Sequence, residues 1–429
     1  MKDCFGQVVF FVVLVGLLSF GQLERVTLTN QISFYYHDLL IVSWLLFTFW
    51  REKKLIGATF KSWFKAFRAA RFWWLSLVLV AILIIGWLLA FSAGSLTLAA
   101  PAYLLRFLTY IVFFVIIYVI KPLPTSYWSR LFFLLNFLWL FWGLLQYYLL
   151  PDTRFLFLLG WDEHYYRLIG TWFDPAFLGL ALVWFSFWLL FKLTRQKPFF
   201  ARAKLPLWFL TGLTFWAILL TYSRSVYLAF GLGLVALIFF CGWQSKGEPR
   251  QKDQNKGKLV TLILSSVAIL LVSLVIVFFL LPQPEFGGDS TNLFRYNSTQ
   301  IRIKEAQKYL TNFTPLTLVF GRGLFVAQPY DPVWLDPQAS GVKLTANFAD
   351  NFLLTFLSFF GLAGGAVIFY ALGKIIAFLS HQKLTIFYPF LISWVIVAFF
   401  ANAFFQPFLL LSFGFLWLAL TSIPNKKTF

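Results

Sequence analysis

The chain has 429 residues, 60% of them hydrophobic and 12% charged, with a mean hydropathy of +0.79. Soluble domains are about half apolar and a quarter charged, so these proportions exclude soluble, collagen-like, disulfide-framework and disordered classes and define a multi-spanning membrane protein. The formal net charge of +19 does not mark a nucleic-acid binder, because most Lys and Arg sit in short loops between apolar runs, as the positive-inside bias requires; attraction to anionic membrane lipid is a by-product.

A helix that crosses the hydrocarbon needs about 20 mostly apolar residues. On that rule an all-α bundle of twelve spans is predicted, at 6–23, 32–50, 72–92, 102–120, 131–150, 174–191, 205–222, 225–243, 259–281, 350–372, 384–401 and 404–422. In the second span only Asp38 to Trp50 is continuously apolar. The first run is long and ends at Ser19-Phe20-Gly21, a poor cleavage site, so it reads as an anchor and not as a secretory signal.

Charge counting sets the orientation. With the N-terminus inside, segments 1–5, 51–71, 121–130, 192–204, 244–258, 373–383 and 423–429 face the cytoplasm and hold twenty-four Lys/Arg against four acids. The outer side then holds ten Lys/Arg against twelve acids, with Arg106 just inside span four. Both termini are therefore expected in the cytoplasm.

The chain reads as a single integral membrane domain, 1–429, with one long outer segment, 282–349, between spans nine and ten. That segment opens with turn formers (Pro282-Gln283-Pro284, Gly287-Gly288-Asp289), and a helix is predicted near 298–312. Asn297 with Gln300 three residues on forms a capping-box pattern. Ile301, Ala306, Tyr309, Leu310 and Phe313 give that helix an apolar side. A Pro/Gly-rich stretch follows, and loops this long are usually functional or disordered.

A membrane protein reveals its chemistry through charges that hydrocarbon should exclude. None of the sixteen acids falls in mid-span. Asp174 and Asp350 lie at the outer ends of spans six and ten, Arg224 lies in the turn Thr221-Tyr222-Ser223-Arg224-Ser225, Arg106 about a turn inside span four, Arg167 ahead of span six and Arg302 on the loop helix. The polar groups thus converge on the outer face at headgroup depth. Guanidinium is always charged and grips phosphate in a bidentate fork, which suits a lipid diphosphate whose tail stays between helices. An outward Asp could accept a proton from an attacking sugar hydroxyl.

Each of these residues also has a structural reading. Arg224 has a lesser reading as a snorkelling anchor, Arg302 one as part of a solvated helix face with Glu305, and Arg106 reads first as an interhelical hydrogen-bonding residue. Asp350 could open span ten, where an acid favours a helix N-terminus. Asp174 before Pro175 reads as an N-cap with Pro at the first helical position, and His164 as a loop histidine. His37, His164 and His381 have no metal-ligand spacing, so no metal site is expected. Cys4 and Cys241 form no thiol motif.

Four segments carry a family resemblance. Arg167-Leu-Ile-Gly170-Thr171-Trp-Phe-Asp174-Pro175 resembles the R-x-x-G-T-x-x-(H/D)-P-N signature of the O-antigen ligase and O-antigen polymerase superfamily. Leu220-Thr221-Tyr222-Ser223-Arg224-Ser225 is similar to its L-T-x-S-R motif. Arg302 with Ala306, followed by Gly321-Arg322-Gly323, resembles the family's loop helix and G-x-G turn. Asp350-Asn351-Phe352-Leu353-Leu354, with Gly361 and Gly364, resembles its (H/D)-N-x-x-L…G-x-x-G pattern. The likeness covers about 160–370. Ala176 stands where the family has Asn, and ligases usually carry His where this chain has Asp350, an Asp more like that of capsular or exopolysaccharide polymerases.

The resemblance implies a glycosyltransferase of the bacterial cytoplasmic membrane that moves a glycan from an undecaprenyl diphosphate carrier to an acceptor sugar hydroxyl outside, without metal or cofactor and with inversion. It implies that Arg167, Arg224, Arg302 and Arg322 hold the diphosphate. Asp350 is expected as base, with Asn351, Asp174, Ser223 and Arg106 as acceptor or structural support. The partners implied are a polyprenyl-diphosphate-linked oligosaccharide, an acceptor glycan or glycolipid, and membrane lipid. The alternative class is a twelve-span transporter or lipid-linked oligosaccharide flippase, although carriers generally keep polar sites near the bilayer midplane.

Overall fold

A computed structural model of the protein describes residues 2–28, 32–69, 73–159, 161–195, 205–244, 275, 291, 300, 303–304, 306–307, 310–326, 351–381 and 387–421. Helices lie on predicted spans one to eight and ten to twelve: α1 (Lys2–Phe20), α2 (Tyr36–Ala69), α3 (Trp73–Ser92), α4 (Ala99–Ile120), α5 (Thr125–Leu149), α6 (Pro175–Arg195), α7 (Leu205–Leu220), α8 (Arg224–Gln244), α9 (Pro315–Phe320), α10 (Phe352–His381), α11 (Tyr388–Ala398) and α12 (Pro407–Thr421). Of these, α9 is a short addition inside the predicted outer loop. Six helices among the described residues are long and apolar enough to cross a membrane, and four more are apolar but shorter. The ninth predicted span, 259–281, lies outside the described residues apart from Val275, as does most of 282–349.

Two differences from the expected spans fall at the ends of α2. Before α2, residues 33–35 form a strand, β2 (Ser33–Tyr35), antiparallel to β1 (Arg25–Thr27) with Arg25 opposite Tyr35 and Thr27 opposite Ser33. Val26, Thr27, Phe34 and Tyr35 are β-branched or aromatic and favour that pleat. At its other end α2 continues to Ala69, through the basic segment expected as a cytoplasmic connection.

The chain divides into two compact units, residues 1–135, 297–376 and 404–429 in one and residues 136–296 and 377–403 in the other. In the second unit, α6 is hydrophobic on all sides, and such a helix belongs in the interior. Leu178, Leu180 to Phe185, Phe187 and Leu189 are fully buried there. Small residues bring its neighbours close: a Cβ on Gly179 would stand 2.6 Å from Val226 of α8, and one on Gly233 of α8 would stand 2.6 Å from Phe187. Close backbone approach of this kind is how membrane helices gain packing energy where lipid offers no hydrophobic drive. The Trp184 indole donates to Phe390 O at 3.2 Å and reaches Ser393 Oγ at 3.1 Å, tying α6 to α11.

The first unit contains a helix break. Within α10 Gly361 takes φ 61° and ψ −173°, and a Cβ there would overlap the Val319 carbonyl. Gly321 (φ 75°) ends α9 against the same break, and a Cβ on it would stand 2.6 Å from Phe359 O. Glycine is required at both positions, by backbone angle and by contact. The Arg322 amide donates to Ser358 O at 2.6 Å, and the Trp87 indole of α3 donates to Leu324 O at 3.1 Å. Residues 321–324 are thereby anchored to α3 and α10.

Candidate functional site

The candidate site in the second unit is the α7–α8 turn and the loop that precedes α6. The chain reverses between Leu220 and Arg224 because Tyr222 adopts φ 46°, a left-handed conformation that costs a non-glycine residue about 1–2 kcal/mol. Such strain persists only where the surroundings over-determine it, and here they do. Arg167, 8% exposed, donates from Nε to Thr221 O at 3.0 Å and from Nη2 to Tyr222 O at 3.3 Å. The neighbouring Leu168 amide donates to Leu220 O at 2.8 Å. These contacts take up carbonyls that the end of α7 leaves without helical partners. The two sequence motifs, R-L-I-G-T and L-T-Y-S-R, therefore form one unit.

A second layer holds the loop. Gln146, near the end of α5, accepts the Ile169 and Gly170 amides on Oε1, both at 3.0 Å, and donates from Nε2 to Leu150 O at 3.0 Å and Arg167 O at 3.4 Å. His164 is buried; its carbonyl accepts from Thr153 N at 3.0 Å and Thr153 Oγ1 at 2.8 Å, and its Nδ1 lies 3.5 Å from Arg167 Nη1. Asp174 Oδ1 accepts the Ala176 and Phe177 amides at 2.6 and 3.0 Å, the N-cap that its place before Pro175 leads one to expect. Farther out, Arg154 grips Asp152 at 2.9 and 2.6 Å and holds that carboxyl below the usual carboxylate range.

Arg224 is the first residue of α8 and is exposed. Ser223 and Ser225 beside it are buried, with hydroxyls 3.1 Å apart, and the Ser223 amide donates to Thr221 Oγ1 at 3.3 Å. A guanidinium is thus presented at a helix N-terminus, where backbone amides and the helix dipole also favour an anion.

In the first unit, Arg322 reaches Asn312 O through Nη2 and its guanidinium carbon sits 5.5 Å from the Phe313 ring centre. Asn351 caps α10, its Oδ1 accepting from Leu353 N at 2.8 Å and Leu354 N at 3.4 Å. Arg106 pairs through Nε with Asp38 Oδ2 at 3.0 Å and donates to Ser33 O, the interhelical bonding that its position in span four allows. Arg302 and Asp350 lie outside the described residues.

Sequence reasoning missed two features. One is Gln146; its only signal was a long polar amide near the outer end of an otherwise apolar span. The other is a buried polar chain at the β1–β2 hairpin. There Glu24 Oε1 lies 2.5 Å from His37 Nδ1, His37 Nε2 lies 3.0 Å from the Tyr110 hydroxyl, and Tyr110 donates to Asp38. The unbroken polar pair His37-Asp38 inside a predicted span was the signal. Among the described residues no three His, Cys, Asp or Glu side chains are grouped to hold a metal ion.

The helices and their apolar lengths define a multi-pass helical membrane protein. Residues 209–369 match the family model described as O-antigen ligase. The match covers less than half of the chain. It includes the α7–α8 turn, α9 and the glycine break of α10, whereas Arg167 and Gln146 precede it. No curated protein and no solved structure matches the chain.

Proposed function

We propose that the protein transfers or polymerises glycan, taking it from a polyprenyl diphosphate carrier and joining it to an acceptor sugar hydroxyl on the outer face of the cytoplasmic membrane. The observation that carries this reading is Arg224, exposed at the N-terminus of α8 inside the stretch matched to the O-antigen ligase model. Its guanidinium and the first amides of α8 neutralise the diphosphate and stabilise it as leaving group. Preorganised charge of this kind is commonly worth about 3–4 kcal/mol per good donor in the transition state. Arg167 acts from beneath, holding the Thr221 and Tyr222 carbonyls so that Arg224 keeps its direction. The family resemblance adds Arg302 and Arg322 as further charge and Asp350 as the group that orients or deprotonates the acceptor hydroxyl, which attacks the anomeric carbon with inversion. Cationic side chains supply the charge that a divalent ion supplies in many sugar transferases.

A proteoliposome assay separates this reading from a transporter or flippase. Purified protein supplied with lipid-linked oligosaccharide is expected to yield longer glycans or an acceptor-linked glycan together with free polyprenyl diphosphate. Translocation of the lipid-linked unit with glycan length unchanged would overturn the assignment.

A further inference from the structure

The second half of α2 takes no part in the chemistry above. The helix kinks at Glu52, where φ is −106° and ψ 20°, two residues after the predicted span ends at Trp50. Residues 53–69 are thus a helical arm joined directly to the half of α2 that covers the second predicted span. In the sequence, Ile56, Phe60, Trp63, Phe64 and Phe67 recur at three- and four-residue steps, the spacing of one helix face. The spacing of Lys54, Lys61, Lys65 and Arg68 in the sequence is that of the face beside it. Lys53, Lys54, Lys61 and Lys65 are exposed, Phe60 is 42% exposed, and Ile56, nearest the kink, is buried. Glu52 is the one acid between residues 51 and 71, and Arg51 Nε sits 3.3 Å from it.

We propose that residues 53–69 are an interfacial arm that lies in the headgroup layer of the cytoplasmic leaflet and recognises anionic lipid, its aromatic face among the upper acyl chains and its lysines on the phosphates. Three observations select this occupant. The arm follows the second predicted span, which ends at Trp50, and that span sets the kink at headgroup depth. An aromatic face flanked by cations fits an interface that is apolar on one side and anionic on the other. A soluble polyanion would satisfy the cations but leave Phe60 and its neighbours in water, and a second copy of the arm would set lysine against lysine.

The test uses the full chain in nanodiscs of mixed phosphatidylcholine and phosphatidylglycerol, with Cys4 and Cys241 replaced by Ser. A spin label is placed in separate samples at Phe60→Cys on the aromatic face and at Ser62→Cys on the opposite one. The label at position 60 is expected to be relaxed by oxygen more than by a water-soluble nickel chelate, and the label at 62 the reverse. Changing Lys54, Lys61 and Lys65 to Gln is expected to reduce that contrast about twofold or more, because each base near an anionic surface contributes to its hold on the bilayer. Equal access of the chelate to both positions would overturn the proposal. So would shielding of position 60 from both reagents, the signature of a protein partner, or a contrast that the lysine changes leave unaltered.

Discussion

Arg167 Nε donates to the carbonyl oxygen of Thr221 at 3.0 Å, joining residues 54 positions apart in the chain. One guanidinium thus holds the backbone of a turn whose next exposed side chain is another guanidinium, that of Arg224. Replacing Arg167 by Ala leaves the buried carbonyls of Thr221 and Tyr222 without this donor, at a cost of about 1–3 kcal/mol each. We expect a lowered melting temperature in detergent together with lost glycan transfer. Arg167→Lys should recover less than half of either, because a single ammonium cannot reproduce the planar fork. A lysine variant equal to wild type in both measurements would contradict this role.

Gln146 uses both ends of its amide, so its conservative variants separate acceptor from donor. Gln146→Glu keeps the oxygen that receives the Ile169 and Gly170 amides but loses the contacts to Leu150 O and Arg167 O. Gln146→Leu loses all four. We expect Leu to cost about 2–4 kcal/mol of stability and Glu less at low pH, where a protonated carboxyl can donate once. Thermal unfolding of both variants at two pH values checks the order.

The glycine break gives a paired prediction. Gly361→Ala and Gly321→Ala each place a methyl group against backbone at a left-handed residue, a combination costing about 3 kcal/mol or more. Gly373, in the same α10, has open space where a methyl group would stand, with nothing within 4 Å. Gly373→Ala should therefore be neutral or slightly stabilising, since Ala is the better helix former. Membrane accumulation and size-exclusion profiles of the three variants provide the comparison.

Much of this architecture was legible in the chain because hydrophobic length is a one-dimensional property. The long apolar runs of α3, α4 and α6 declare themselves whatever they pack against. The cap of Asp174 was equally legible, since Asp followed by Pro specifies a helix start locally. Gln146 and the His37 chain were not, because their meaning depends on partners 13 to 73 positions away. Arg167 is the instructive case: the sequence marked it as a charge beside an apolar span but could not show that its donors face main-chain carbonyls. The strand pair at Arg25–Thr27 and Ser33–Tyr35 escaped for another reason, as three-residue strands carry too little periodicity to stand out beside an apolar span.

Arg106 and Asp38 form a largely buried ion pair, each side chain 14% exposed. Removing one partner strands the other charge, and breaking such a pair costs about 3–5 kcal/mol. We therefore expect Arg106→Met to destabilise strongly and Arg106→Met combined with Asp38→Asn to recover a substantial part of the loss. Chemical or thermal unfolding of the two single variants and the double variant closes the cycle; additive losses would show that the pair is not coupled.

The most direct test of the diphosphate account is a single-residue comparison at Arg224. Wild type, Arg224→Lys and Arg224→Ala, each reconstituted with the same lipid-linked oligosaccharide, are assayed for release of polyprenyl diphosphate and for new glycan product, with melting temperature as the control for folding. Loss of one such donor should slow transfer about 100- to 1,000-fold, with the Lys variant between the other two and the melting temperatures equal. Release of polyprenyl diphosphate by Arg224→Ala at the wild-type rate would contradict the account.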